Sequence, residues 1–187
     1  MRPSCWPIIA LVLCIGILVA GCTEEDTPPP PPAPVSGSGA QPGALIRTFG
    51  NITGQGVILQ GVPRGTIDTV TFSIGLTPGI KTLDLNGTTI AYADSVRTEI
   101  LTPVQGYFGN PPPGSWGIID ITDQLGGERN MRIDFEEKFV VRINPKVPVI
   151  PDQVFTISVR PPEGRLLMIR LIAPAEIGEQ ENVIRPL

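Results

Sequence analysis

The sequence predicts an all-β fold, an antiparallel immunoglobulin-like β-sandwich of about 7–9 strands set behind a signal peptide and a Pro-rich linker. Three observations predict it. Apolar residues from Ala44 onward alternate with a period of two in short runs, so each run has one buried side. Turn signals separate the runs, the clearest being Pro78-Gly79, Asn86-Gly87, Gly126-Gly127 and the Asn110–Gly114 loop. No stretch shows convincing helical spacing; Ala175–Asn182 alone suggests a helical turn or two.

Residues 1–21 read as a leader. Arg2 is followed by an apolar run, Ile8 to Ala20, which stops before Glu24-Glu25-Asp26. A basic start, an apolar middle and small residues before a break are the design of a secretory signal. Crossing a bilayer as a helix takes about 20 apolar residues, so this run is too short for a permanent span. Val19-Ala20-Gly21-Cys22 resembles the lipobox of exported lipoproteins, whose thiol takes a lipid and becomes the mature N-terminus. Small residues at 20 and 21 fit a narrow peptidase cleft, and a thiol is nucleophilic enough to be acylated. Cys22 is therefore expected to be the lipidation site and to hold the chain to the membrane. Each buried CH₂ contributes about 0.8 kcal/mol, so two or more acyl chains hold durably.

Residues 22–43 read as linker. Pro28–Pro32, Ala33 and Pro34 precede Ser36-Gly37-Ser38-Gly39; the first piece is expected to be a stiff polyproline rod and the second a flexible coil. A single domain is expected over 44–187. Its strand runs are Thr69–Leu76, Thr88–Ala93, Trp116–Ile121, Met131–Phe135, Phe139–Ile143, Phe155–Val159 and Leu167–Leu171. Asn86-Gly87 between Leu83–Leu85 and Thr88–Ile90 predicts a two-residue hairpin with φ > 0 at both central positions.

Composition excludes several functions. The three cysteines are Cys5, Cys14 and Cys22, so no disulfide is expected in the folded part. There is no histidine, which removes the commonest general base and transition-metal ligand. Net charge is −4 without a basic cluster, which argues against a nucleic-acid partner.

Leu76–Leu85 followed by Thr88–Asp94 resembles the outer domain of archaeal flagellins (archaellins), where a Thr-Pro-Gly turn and an Asp-Leu segment lead to an Ile-x-Tyr-x-Asp strand. Glu137–Ile143 is similar to that family's Glu-x-Phe strand, and Pro161–Arg170 with Pro174 to its Pro-x-x-Gly hairpin and closing strand. The resemblance covers about residues 52 to 184 and implies the sandwich fold and a surface location. Archaellins keep a long apolar helix that packs the filament core. Here the apolar segment is short and ends in the lipobox, which sets the polymerising role apart.

Candidate chemistry is sparse. Lys81, Lys138 and Lys146 are the lysines, and no serine stands in a Gly-x-Ser-x-Gly setting; an enzyme is not expected, nor a cofactor. Adjacent Glu136 and Glu137 are expected to be a solvated strand start. Asp84, Asp94, Asp120 and Asp123 lie near strand ends, where calcium ligands could converge, although Asp at a turn usually caps backbone N–H groups. Asn51-Ile52-Thr53 and Asn86-Gly87-Thr88 are glycosylation sequons, making Asn51 and Asn86 the expected sugar sites. Tyr92, Tyr107, Phe108 and Trp116 could serve a carbohydrate-binding face, with core packing the better account of Tyr92 and Trp116.

The expected protein is a non-catalytic surface lipoprotein, exported and held by lipid on Cys22. Its sandwich would contact envelope or surface-layer proteins or the archaellum filament. A filament-related structural subunit and a sugar- or calcium-binding adhesion module are the alternatives.

Overall fold

The computed structural model describes residues 43–58, 60, 64–124 and 129–187. The leader, Cys22 and the linker lie outside the described residues. Among those described, eleven strands form: β1 (Ile46–Val57), β2 (Thr66–Leu76), β3 (Thr82–Asp84), β4 (Thr89–Asp94), β5 (Thr98–Phe108), β6 (Ser115–Thr122), β7 (Arg132–Asp134), β8 (Lys138–Asn144), β9 (Val154–Arg160), β10 (Leu167–Ile172) and β11 (Glu181–Pro186). Nine of them close into one sheet in the order β1-β11-β10-β9-β4-β5-β6-β8-β2, while β3 and β7 make a separate two-stranded ribbon. All pairs are antiparallel except β5 with β6.

Two strands turn the corners of a flattened, sandwich-like closure. β5 pairs with β4 through Thr98–Leu101 and with β6 from Thr102 on. β11 pairs with β1 through Glu181–Ile184 and with β10 through Arg185 and Pro186. One layer is thus β1, β2, β8 and β6, and the other is β4, β9 and β10. Period-two patterning supplies the core between them: Phe72, Ile74, Phe139, Val141 and Ile143 from one layer meet Ile90, Tyr92, Ile157, Val159, Ile169 and Leu171 from the other, all buried.

The seven expected runs all contain strands, and the sandwich-like all-β class holds. The differences have local causes. The total exceeds the expected range because β1, β5 and β11 add three strands outside the expected runs, while β3 and β7 stand apart as a ribbon. Asn86-Gly87 is a turn, but not a hairpin: β3 pairs with β7, and β4 pairs with β5 and β9. Leu85 O accepts the Thr88 N–H at 3.0 Å, and only Gly87 has positive φ (80°), which is the type II pattern. Phe135 is 53% exposed rather than core, because the chain turns at once: Asp134 O accepts the Glu137 N–H at 3.1 Å and Glu136 adopts φ 74°. Ala175–Asn182 holds no helix; Glu181 and Asn182 already belong to β11. The shift from Trp116/Ile118 to Ile119/Ile121 is a bulge in β6, where Ile118 sits opposite Val141 and Asp120 opposite Val140.

Candidate functional site

At the end of the sandwich where β1 begins, a cleft of about 560 Å³ is lined by Arg47 and Phe49 of β1, Leu76 at the end of β2 and Pro78 beyond it, Asp123 after β6, and Phe135–Lys138 in the turn from β7 into β8. Its floor is the Phe49 ring, with the Arg47 guanidinium 4.4 Å and the Lys138 ammonium 5.5 Å from its centroid. Lys138 donates to Asp123 Oδ2 in an ion pair. Glu137 is only 6% exposed, correcting the expected solvated strand start. Its Oε2 accepts the backbone N–H of Asp134 at 3.1 Å, closing the tight turn into β8. The cleft therefore offers two cations, carboxylates and two aromatic rings. No hydroxyl or thiol nucleophile lines it among the described residues.

A second polar cluster lies at the opposite end, between the β4–β5 turn and the loop before β9. The Asp94 side chain is fully buried and 3.1 Å from Arg97 Nε. Its Oδ1 accepts the N–H groups of Val96 and Arg97 at 2.9 and 3.0 Å, and its Oδ2 accepts from Tyr92 Oη at 3.2 Å and Gln153 Nε2 at 2.9 Å. Burial works against the Asp94 charge, yet these donors together hold its carboxyl below the ordinary value. Burial, outweighing the Arg97 donor, pushes the Tyr92 hydroxyl up to about 12. Tyr92 also stacks on Phe155 at 5.5 Å. This cluster locks a turn from inside; its carboxylate already has four donors.

The four aspartates weighed as calcium ligands are not brought together. Asp84 accepts from the N–H and amide of Asn86, each at 2.8 Å; Asp120 accepts the Ile121 N–H at 2.9 Å; Asp94 and Asp123 are paired as above. Among the described residues no group of three or more acidic, histidine or cysteine side chains could hold a metal ion. Tyr92 and Trp116 are buried in the core. Tyr107 leans on Trp116 at 5.7 Å, and its hydroxyl accepts the Gly87 N–H at 3.3 Å.

The two sequon asparagines are both exposed. Asn51 lies on β1 at the register shift between Phe49 and Thr53, where the bulge lifts it off the ladder. Asn86 sits in the type II turn. Its amide is committed to Asp84, and the Thr88 hydroxyl donates to Leu85 O at 2.7 Å.

Two layers of one closed sheet, joined by corner strands around an apolar core, give this chain an archaellin-like β-fold. The crystal structure of archaeal flagellin FlaB1 from Methanocaldococcus jannaschii matches with a TM-score of 0.56 and 16% identity, covering 74% of this chain and 95% of that one. The archaeal flagellum of Methanospirillum hungatei strain JF1 matches with a TM-score of 0.50 and 16% identity, covering 76% and 71%. The likeness is one of fold. No protein-family model matches the chain, and no curated protein matches it.

Proposed function

We propose that the chain is a non-catalytic cell-surface lipoprotein, anchored through lipid on Cys22, which holds an archaellin-like domain out from the membrane for contact with other envelope proteins. The observation that carries this reading is the joining of Val19-Ala20-Gly21-Cys22 and a Pro-rich spacer to a sheet that begins at Ile46 and closes on itself. A closed sheet has no open edge, so the domain can stand at a surface without pairing indiscriminately. Neither the sequence, which lacks histidine, nor the mixed-charge cleft supplies a nucleophile with a base beside it.

Labelling cells with a radioactive lipid precursor tests the anchor. Label is expected on the wild-type protein and lost in Cys22→Ser, which should leave the membrane fraction. A filament-related subunit is the second reading, favoured by the fold likeness to archaeal flagellins. Recovery of an unlabelled chain in a polymer, with residues 1–21 retained, would establish it instead.

Sugar attachment belongs to the same surface reading. Asn51 is the better acceptor because the Asn86 amide is held by Asp84 within the turn; the hydroxyl two residues on is hydrogen-bonded in both sequons, Thr53 to Glu181 and Thr88 to Leu85 O. Mass spectrometry of the native protein should find a glycan on the Asn51 peptide and little on that of Asn86. The reverse ratio would refute the ranking.

A further inference from the structure

The outer face of the β5-β4-β9-β10-β11 layer is unlike the rest of the molecule. Register places Ile100, Ala91, Ser158 and Met168 in one row across it, and Thr98, Ala93, Thr156 and Arg170 in the next. Residues directly opposite on paired strands share a face, and their alternates, such as Ile90, Val159 and Leu167, are in the core. Ile100 is 71% and Met168 50% exposed. Arg160, Arg170 and Arg185 stand at the ends of the rows, all exposed.

Along β4, β9 and β10 no outward position carries a carboxylate; Glu181, on the same face of β11 as Arg185, lies at the far end of that strand beside β1, where it accepts from the Thr53 hydroxyl at 2.6 Å. Asp94 is turned fully inward, and Glu99, at 12% side-chain exposure, lies opposite Tyr92 on the core side and pairs with Lys146. Arg97, Arg132, Lys138 and Lys146 each have a carboxylate within ion-pair distance. Among the described residues Arg160, Arg170 and Arg185 have none. Protein–protein contacts are enriched in arginine and methionine and depleted in lysine, aspartate and glutamate, as this face is, and also in the alanine and serine that Ala91, Ala93 and Ser158 supply here. Five strands about 4.8 Å apart and some six residues long make a patch of about 500 Å². That is the size of a reversible contact, below the ~800 Å² per partner of a standard interface.

We propose that this face docks a different protein through a flat surface carrying carboxylates opposite Arg160, Arg170 and Arg185. Two-fold self-association would bring together two copies of a face whose arginines have no carboxylate to meet, so a second copy fits poorly. A membrane surface fits poorly too: the apolar side chains lie level with Thr, Ser and Ala on a pleat, with no protruding aromatic loop to enter lipid. The proposal rests on the surface-contact reading above, but not on the anchor, which the Cys22 labelling tests separately.

The test uses the full chain in intact cells. Met168→Cys carries a benzophenone maleimide. Controls are the unsubstituted chain and Val140→Cys, placed on β8 in the opposite layer. Ultraviolet light should join position 168, and not position 140, to one protein of other sequence through a segment containing Asp or Glu. Adding Arg170→Glu should cut the yield about tenfold, as expected when one charge pair across a contact is reversed, with the thermal melt unchanged. An Asp or Glu→Arg change in that segment should restore it. No adduct, equal adducts at 140 and 168, an adduct to phospholipid or to a second copy, or a yield indifferent to Arg170→Glu would each overturn the proposal.

Discussion

At the residue scale, the buried carboxylate of Asp94 is the most consequential single group. Asp94→Ala strands the Tyr92 hydroxyl, Gln153 and two backbone N–H groups, and should cost on the order of 3 kcal/mol in urea unfolding. Asp94→Asn keeps an acceptor for the N–H groups and should cost less. Because its folded pKa is depressed, Asp94 contributes stability above the unfolded carboxyl pKa and loses it as pH falls through the folded value. Tyr92 acts at the other extreme. Its pKa rises from 10.0 to about 12, so unfolding releases its proton first and stability falls as pH climbs from 10 through 12. Tyr92→Phe should flatten that alkaline decline, a slope worth roughly 2–3 kcal/mol. Gly56 matters through space. A Cβ there would lie 1.8 Å from Gly178 O and 2.7 Å from Asn182 Nδ2, so Gly56→Ala must push β1 off the 173–180 loop. A loss of about 3 kcal/mol is expected by thermal melting.

At the element scale, legibility followed chemistry. β2, β4, β8, β9 and β10 announce themselves because large apolar residues recur at every second position, as in Phe139, Val141 and Ile143 of β8. β1 does not. Its apolar positions Ile46 and Ile52 straddle a register shift, and Gly50, Gly54 and Gly56 fill places where side chains would show a period. β5 hides likewise behind Pro103 and Gly106, with a register shift against β6. The β3–β7 ribbon defeats local reading for another cause: three-residue strands pair across a long sequence separation, and nothing near Asn86-Gly87 reveals that β3 does not continue into a hairpin. Of the candidate site, exposure of Asn51 and Asn86 was legible from their setting. The Phe49-floored cleft was not, since its walls come from four separate segments, and the burial of Glu137 depends on a turn visible only in three dimensions. β11 is the element whose removal would show most. Ending the chain at Gln180 strips partners from β1 and β10 and opens the sheet. The truncated protein should run as dimers and larger species on size exclusion, where the intact chain elutes as a smaller one.

At the scale of the whole molecule, the division of labour between faces organises what the domain can do. One end holds the cleft, the other the locked β4–β5 turn, and the exposed arginine face lies along one layer between them. Strand β1 bears on all of this through its direction. It is hydrogen-bonded to β2 along its length and also to β11 across Ile52–Gln55, and the preceding chain arrives at its first residue. Were the chain anchored ahead of the domain as proposed, a pull from that side would act along β1 and load the bonds on both its flanks. Forced unfolding is governed by the height of the unfolding barrier, and bonds loaded together along a strand would raise it. For the proposed anchored lipoprotein, that is the direction in which the domain would carry load.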